Sequence, residues 1–167
     1  MIQIKELTAP NDALLYNTML QWGLIEDANS FRIAPADDSP GFFPTNGRPD
    51  NFTLGAYWDG TFCGMVSFAR QNTNPSRLKF SHKGLLFRLY VHPGYRGKGV
   101  ASSLIQQVTD RAKALGDIEQ INLTVIGGNA TATQLYEKFG FTTYGTEERA
   151  VKWNDRYFTE HMMVLFL

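Results

Sequence analysis

The sequence predicts a mixed α/β domain, with elements in the order β-α-(α)-β-β-β-α-β-α-β-β. Three observations carry that prediction. Apolar and polar residues alternate over residues 2–7 near the start of the chain, as in a half-buried strand. The dipeptides Asp59-Gly60 and Asn154-Asp155 sit between apolar runs, where a hairpin would reverse. Between these hairpins the apolar run 85–91 enters a glycine-rich turn and then a helical repeat of apolar residues.

Taken in order, Ile2-Gln3-Ile4-Lys5-Glu6-Leu7 predicts the first strand, and Thr8-Ala9-Pro10-Asn11-Asp12 a turn and helix start. Leu14, Leu15, Thr18, Met19 and Trp22 suggest a first helix that stops near Gly23. Residues 26–34 have room for another helical turn or two. From Pro35 to Pro49 the chain reads as a loop, an aromatic one through Phe42 and Phe43. Residues 52–58 and 62–70 are two strands joined at Asp59-Gly60, and 71–79 is another loop. Beyond the central strand, Leu104, Ile105, Val108, Ala112 and Leu115 mark one face of a long helix. Residues 121–126 form a strand that Gly127-Gly128 breaks. Asn129 is a good N-cap for a helix over 130–139, and Gly140 stops that helix as a C′ glycine. Residues 141–153 and 157–167 are the closing strands. Parallel pairing is expected only across the central crossover helix. No repeat, low-complexity tract or linker interrupts the chain, so residues 1–167 are expected to form a single domain.

Composition narrows the function classes. With 16 basic and 16 acidic side chains the net charge is zero, so no global field favours nucleic acid or an anionic membrane. Cys63 is the only cysteine, which excludes a disulfide framework and a cysteine-based metal site. His82, His92 and His161 have no metal-ligand spacing, so no metal is expected. No apolar run is long enough to cross a bilayer, and the first residues are too polar for a signal peptide, so a cytoplasmic location is expected. The Asn-x-Thr sequons at Asn51, Asn122 and Asn129 are then chance matches.

The turn after the central strand carries chemistry. A strand, a glycine-rich turn and a helix N-terminus together suit an anion. Glycines admit close backbone approach, and free N–H groups and the helix dipole face the ligand. The turn lacks the Gly-x4-Gly-Lys-Ser/Thr of a nucleotide-triphosphate loop. It also lacks the dinucleotide Gly-x-Gly-x-x-Gly, because Ser102 stands where the third glycine belongs. It reads Arg96-x-x-Gly99-x-Ala101, after Tyr90-Val91-His92-Pro93. This resembles the acetyl-CoA pyrophosphate loop of the GCN5-related N-acetyltransferases, the GNAT superfamily, whose signature is Arg/Gln-x-x-Gly-x-Gly/Ala.

A second motif, Asn129-x-x-Ala132-x-x-Leu135-Tyr136-x-x-x-Gly140-Phe141, is similar to the one that follows the fifth strand in that family. The resemblance runs from about Phe52 to the C-terminus, including a closing hairpin like that of many bacterial members. It implies the GNAT fold: a mixed central sheet of about six or seven strands, helices on both faces, and a splay between the fourth and fifth strands. It implies an acetyl-CoA-dependent N-acetyltransferase working by direct attack on the thioester in a ternary complex, with acetyl-CoA as co-substrate. The acceptor would be a small-molecule or peptide amine, with no nucleic-acid or membrane partner and a possible homodimer through the last strands. The backbone from Arg96 through Gly97, Lys98, Gly99, Val100 and Ala101 to Ser102 would hold the pyrophosphate, with Arg96 and Lys98 adding charge at its mouth. Leu89, Tyr90 and Val91 would pair with the pantetheine arm and supply an oxyanion-binding N–H. Asn129 would hydrogen-bond the arm, and Tyr136 would protonate the leaving thiolate.

Each assignment has a plainer rival. Arg96 and Lys98 could be a solvated helix start, Asn129 only a cap, and Tyr136 only a core aromatic. The chain also departs from the family pattern, because the central strand 84–91 has no carboxylate to accept the amine's proton. Glu147, Glu148, His161, His82 or water held near Tyr90 are the alternatives. Arg88 is a charge in a strand that should be buried, so it either pairs with a carboxylate or faces the acceptor cleft. The acceptor site is expected from residues 22–49 and 147–157, with Asp37, Asp38, Phe42 and Phe43 as candidates. A covalent route would have only Cys63. A non-catalytic acyl-CoA sensor of the same fold is the alternative function.

Overall fold

The computed structural model describes residues 1–39, 41–71 and 78–167, so most of the loop expected over 71–79 lies outside the described residues. Seven strands form one sheet in the order β1-β2-β3-β4-β5-β7-β6. In the chain these are β1 (Ile2–Leu7), β2 (Asn51–Trp58), β3 (Thr61–Arg70), β4 (Lys83–Val91), β5 (Gln120–Ile126), β6 (Thr142–Trp153) and β7 (Arg156–Phe166). The helices are α1 (Ala13–Glu26), α2 (Val100–Ala114) and α3 (Ala130–Lys138). Among the described residues only β4 and β5 pair in parallel, because α2 carries the chain from one to the other. Asp59 (φ 46°) with Gly60 (φ 85°), and Asn154 (φ 49°) with Asp155 (φ 58°), take the left-handed conformations that two-residue hairpins need. Among the described residues, no helix is long and apolar enough to cross a membrane.

The sheet is covered on both faces because neighbouring side chains on each strand point opposite ways. On β3, Val66 joins Leu104, Ile105 and Val108 of α2, and Met65 joins Tyr16, Leu20 and Leu24 of α1. Each fully buried aliphatic side chain on α2 contributes about 1.5–3 kcal/mol. The first helix differs from the sequence expectation. It runs through Gly23 to Glu26, and it buries Tyr16, Met19, Leu20, Gly23 and Leu24 while Leu14 stays exposed. Apolar residues lie all round this helix, so periodicity alone could not choose its inner face. Gly23 is there for close approach: an added Cβ would lie 3.0 Å from the Tyr90 ring and 3.1 Å from Phe31.

Two irregularities in β4 position the site. Met65 faces Tyr90 and Ser67 faces Phe87, so three steps on β4 oppose two on β3. That is a β-bulge, and Arg88 sits in it with φ 53°. The extra residue reverses the alternation, which is why Leu86 and Val91 both face α2 although they are an odd number apart. On its other side β4 pairs with β5 only through Lys83, Gly84 and Leu85. Beyond them the strands part, while β5 stays paired with β7 as far as Ile126 and Glu160. The splay expected between the fourth and fifth strands is therefore present.

The paired end of this junction is tightly packed. A Cβ on Gly84 would fall 2.4 Å from the ring of Phe68, which stacks on Phe52 at 5.2 Å between centroids. Gly84→Ala should destabilise the fold by about 1–3 kcal/mol through overpacking. Urea unfolding would show this as a lower midpoint at unchanged slope. An unchanged midpoint would contradict the packing described.

Candidate active site

Where β4 and β5 part, a cleft of about 960 Å³ opens. Leu89, Tyr90 and Val91 line it from β4, and Arg96, Gly97, Gly99, Val100, Ala101 and Ser102 from the turn and the start of α2. Asn129 and Tyr136 line it from the far side. The structure thus brings together the residues expected on the acetyl-CoA side, with Lys98 as the exception. Its Nζ donates to the Gly94 carbonyl at 3.1 Å and lies over the Trp58 and Tyr95 rings at 5.3 and 5.2 Å.

The turn is shaped from within. The Gly94 N–H donates to His92 Nδ1 at 3.2 Å, and the His92 ring stacks on Trp22 at 4.5 Å, so this histidine is structural. Gly97 (φ 73°) and Gly99 (φ 82°) take left-handed conformations. A Cβ at either would meet nothing within 4 Å, so backbone conformation rather than crowding demands glycine there. No side chain caps α2 at Gly99. The open N–H groups of its first turn, with the helix dipole behind them, make a cradle suited to an anion at the cleft's edge.

Arg96 is not a free charge at the mouth. Its Nε donates to the Val91 carbonyl at 2.9 Å, and its terminal nitrogen to Asp27 Oδ2 at 2.7 Å. The Tyr90 hydroxyl donates to the same Asp27 oxygen at 2.8 Å. This triad ties the end of α1 to the end of β4 and to the turn. Burial alone would raise the Asp27 carboxyl, but the bonds from Arg96 and Tyr90 and the Arg96 charge hold it below the usual carboxylate range. Burial, and then Asp27, push the Tyr90 hydroxyl well above the ordinary tyrosine range.

Across the cleft, Tyr136 is 7% exposed and packs edge-on to Phe141 at 5.7 Å. Its hydroxyl has no side-chain partner among the described residues, and burial raises its pKa strongly, so it stays protonated. Asn129 is a helix cap that also lines the cleft. Its Oδ1 accepts the Ala132 N–H at 3.2 Å as the cap of α3, and its Nδ2 donates to Ser30 Oγ at 3.4 Å. Ser30 ends a 3₁₀ turn, Ala28–Ser30, in the connection after α1. The next residues, Phe31, Arg32 and Ile33, also line the cleft.

Several acceptor-side expectations are corrected. No residue of 147–157 lines the cleft, and Glu147 and Glu148 are exposed on β6. Asp37 bonds the Ala34 N–H at 2.8 Å, and Asp38 is buried, accepting from Gln21 Nε2 at 3.0 Å; both are structural. His161 bonds Thr146 at 3.1 Å. Cys63 is wholly buried, burial raises its thiol pKa, and it does not line the cleft. Sequence reasoning missed Asp27, Ser30, Arg32 and Glu160. Glu160 is 4% exposed, and its Oε1 lies 2.5 Å from Arg32 Nε, an ion pair without hydrogen-bond alignment. No motif announced these four, because each acts through a contact distant in sequence. Among the described residues no group of side chains could hold a metal ion.

Because the folded-state pKa of Asp27 is depressed, its stabilising effect is present above the unfolded pKa of about 3.9 and is lost as pH falls through the folded value. Asp27→Asn should therefore lower stability at neutral pH. The difference from wild type should shrink as the pH drops below about 4. Urea titrations of both proteins at several pH values would check this. A difference that is constant with pH would contradict the triad.

Residues 16–141 match the model of the Acetyltransferase (GNAT) family. The L-amino acid N-acetyltransferase AaaT of Escherichia coli is 30% identical over 70% of this chain and 68% of its own length. An acetyltransferase of Sodalis glossinidius is 40% identical over 36% of the chain, and that stretch spans 42% of the relative, less than half its length. The Salmonella typhimurium protein yncA, solved with its cofactor acetyl-CoA, superposes with a TM-score of 0.78 at 17% identity, covering 100% of this chain and 94% of that one. With a family model covering most of the chain and a 30% identical relative matched over two thirds of its length, the chain belongs to the Acetyltransferase (GNAT) family.

Proposed function

We propose that the chain moves an acetyl group from acetyl-CoA to a primary amine by direct attack in a ternary complex. One observation carries this reading. The unpaired stretch of β4, the glycine-rich turn before α2 and Tyr136 all line a single cleft. The cradle from Arg96 to Ser102 suits the pyrophosphate, with left-handed glycines where the backbone must come close. Lys98 contributes backbone only, since its ammonium is engaged elsewhere. Beyond Leu85, β4 has no β5 neighbour, so its backbone is open to pair with an amide-bearing arm such as pantetheine. An N–H among Leu89, Tyr90 and Val91 then stabilises the tetrahedral oxyanion. In this reading Asn129 hydrogen-bonds the arm, and Tyr136 donates the proton that the departing thiolate takes up.

The proton lost by the amine goes to water. Asp27 is the one carboxylate lining the cleft among the described residues, and its depressed pKa makes it a poor base. Cys63, buried and outside the cleft, offers no covalent route. The acceptor reaches the thioester from the side of residues 30–33.

Tyr136→Phe should lower kcat by on the order of 10²-fold while leaving acetyl-CoA affinity unchanged. Gly99→Glu should abolish acetyl-CoA binding by strain and repulsion at the cradle. Thiol release and calorimetry on both variants check these outcomes. Tight binding without transfer to any amine would favour a sensor, and normal binding by Gly99→Glu would refute the cradle. The pH profile is a separate test. With water as proton acceptor, kcat/KM should climb until the amine's own pKa is reached, whereas a plateau well below it would reveal a protein base.

A further inference from the structure

We infer that Arg88 selects the acceptor, and that the acceptor is an amine carrying a carboxylate. The inference rests on the acetyltransferase reading above and names the substrate class of that site. Arg88 lines the cleft on β4, half-buried, next to the residues assigned to the oxyanion. Its guanidinium is positioned but not neutralised. One terminal nitrogen donates to the Tyr16 hydroxyl at 3.0 Å, and the Phe42 ring lies 5.6 Å from its centre. Tyr16 is wholly buried, and burial raises its pKa, so it gives Arg88 a neutral partner.

The other charges of the cleft are accounted for. Arg96 pairs with Asp27 and Arg32 with Glu160, while Lys138 is exposed at the end of α3, where an unpaired lysine is ordinary. Arg88 forms no ion pair among the described residues, and Pro40 and residues 72–77 contain no acidic side chain. Asp38 influences the Tyr16 hydroxyl but makes no ion pair with Arg88. A half-buried, unpaired guanidinium is costly, and so is a left-handed backbone at a residue other than glycine. Arg88 bears both costs. The bulge offsets the second by resetting which side chains face each layer, but no ion pair among the described residues offsets the first. A fork of N–H donors held in place and open to a cleft fits a carboxylate bidentately and repels a polycation.

The test is acetyl transfer to an α-amino acid, to its carboxamide and to spermidine, using wild type, Arg88→Asn and Arg88→Lys. Asparagine tolerates the left-handed conformation, and lysine keeps the charge without the fork. Wild type should prefer the amino acid to its amide by on the order of 10²-fold in kcat/KM, and should use spermidine least. In Arg88→Asn that preference should collapse towards unity, chiefly through KM for the amino acid, with Arg88→Lys intermediate and KM for acetyl-CoA unmoved. Equal use of amide and acid by wild type, or an unchanged preference in both variants, would overturn the inference while leaving the acetyltransferase reading intact. Transfer to none of the three, with acetyl-CoA still bound, would overturn both.

Discussion

The site depends on a constraint of backbone pairing. A strand inside a sheet normally satisfies its N–H and C=O groups on both sides, but β4 does so on its β5 side only through Lys83, Gly84 and Leu85. From there to Val91 its open edge must find other partners. The bulge at Arg88 acts on the same stretch, resetting which side chains face each layer. Together these create a half-finished sheet edge inside the domain, which an extended ligand with amides of its own can complete. Few other arrangements place free, fixed N–H groups in a sheltered cleft.

Contacts from the rest of the molecule brace both sides of that opening. On the β4 side, Tyr90 and Arg96 converge on Asp27 and tie the first helix to the turn. On the other side, β5 is fully paired with β7 and does not follow β4. The connection after α1 bridges the two through Ser30 to Asn129 and Arg32 to Glu160. Charges that look from sequence like ligand contacts, Arg96 and Lys98 above all, have side chains spent on this scaffolding. Of the two, only Arg96 lines the cleft.

Much of this was legible in the sequence, for physical reasons. Both hairpins were visible because left-handed turns restrict residue choice, and α2 because its inner face repeats cleanly. That Gly97, Gly99, Asn129 and Tyr136 line one cleft could be anticipated because each sits at a turn or helix that the sequence marks. The inner face of α1 was not legible, since apolar residues surround it and only Tyr90 and Phe31 explain Gly23. Asp27, Arg32 and Glu160 escaped notice because a charged side chain in a connection or on a strand looks solvated until its distant partner is known. Arg88 lay between: its oddity could be seen, but the absence of a carboxylate beside it required the structure.

Amide hydrogen exchange with and without acetyl-CoA would test the central claim most directly. The account predicts slowed exchange at the cleft-facing amides of residues 86–91 and across 97–102, with the amides that β5 and β7 already share unchanged. Protection elsewhere, with none along the open edge of β4, would contradict it.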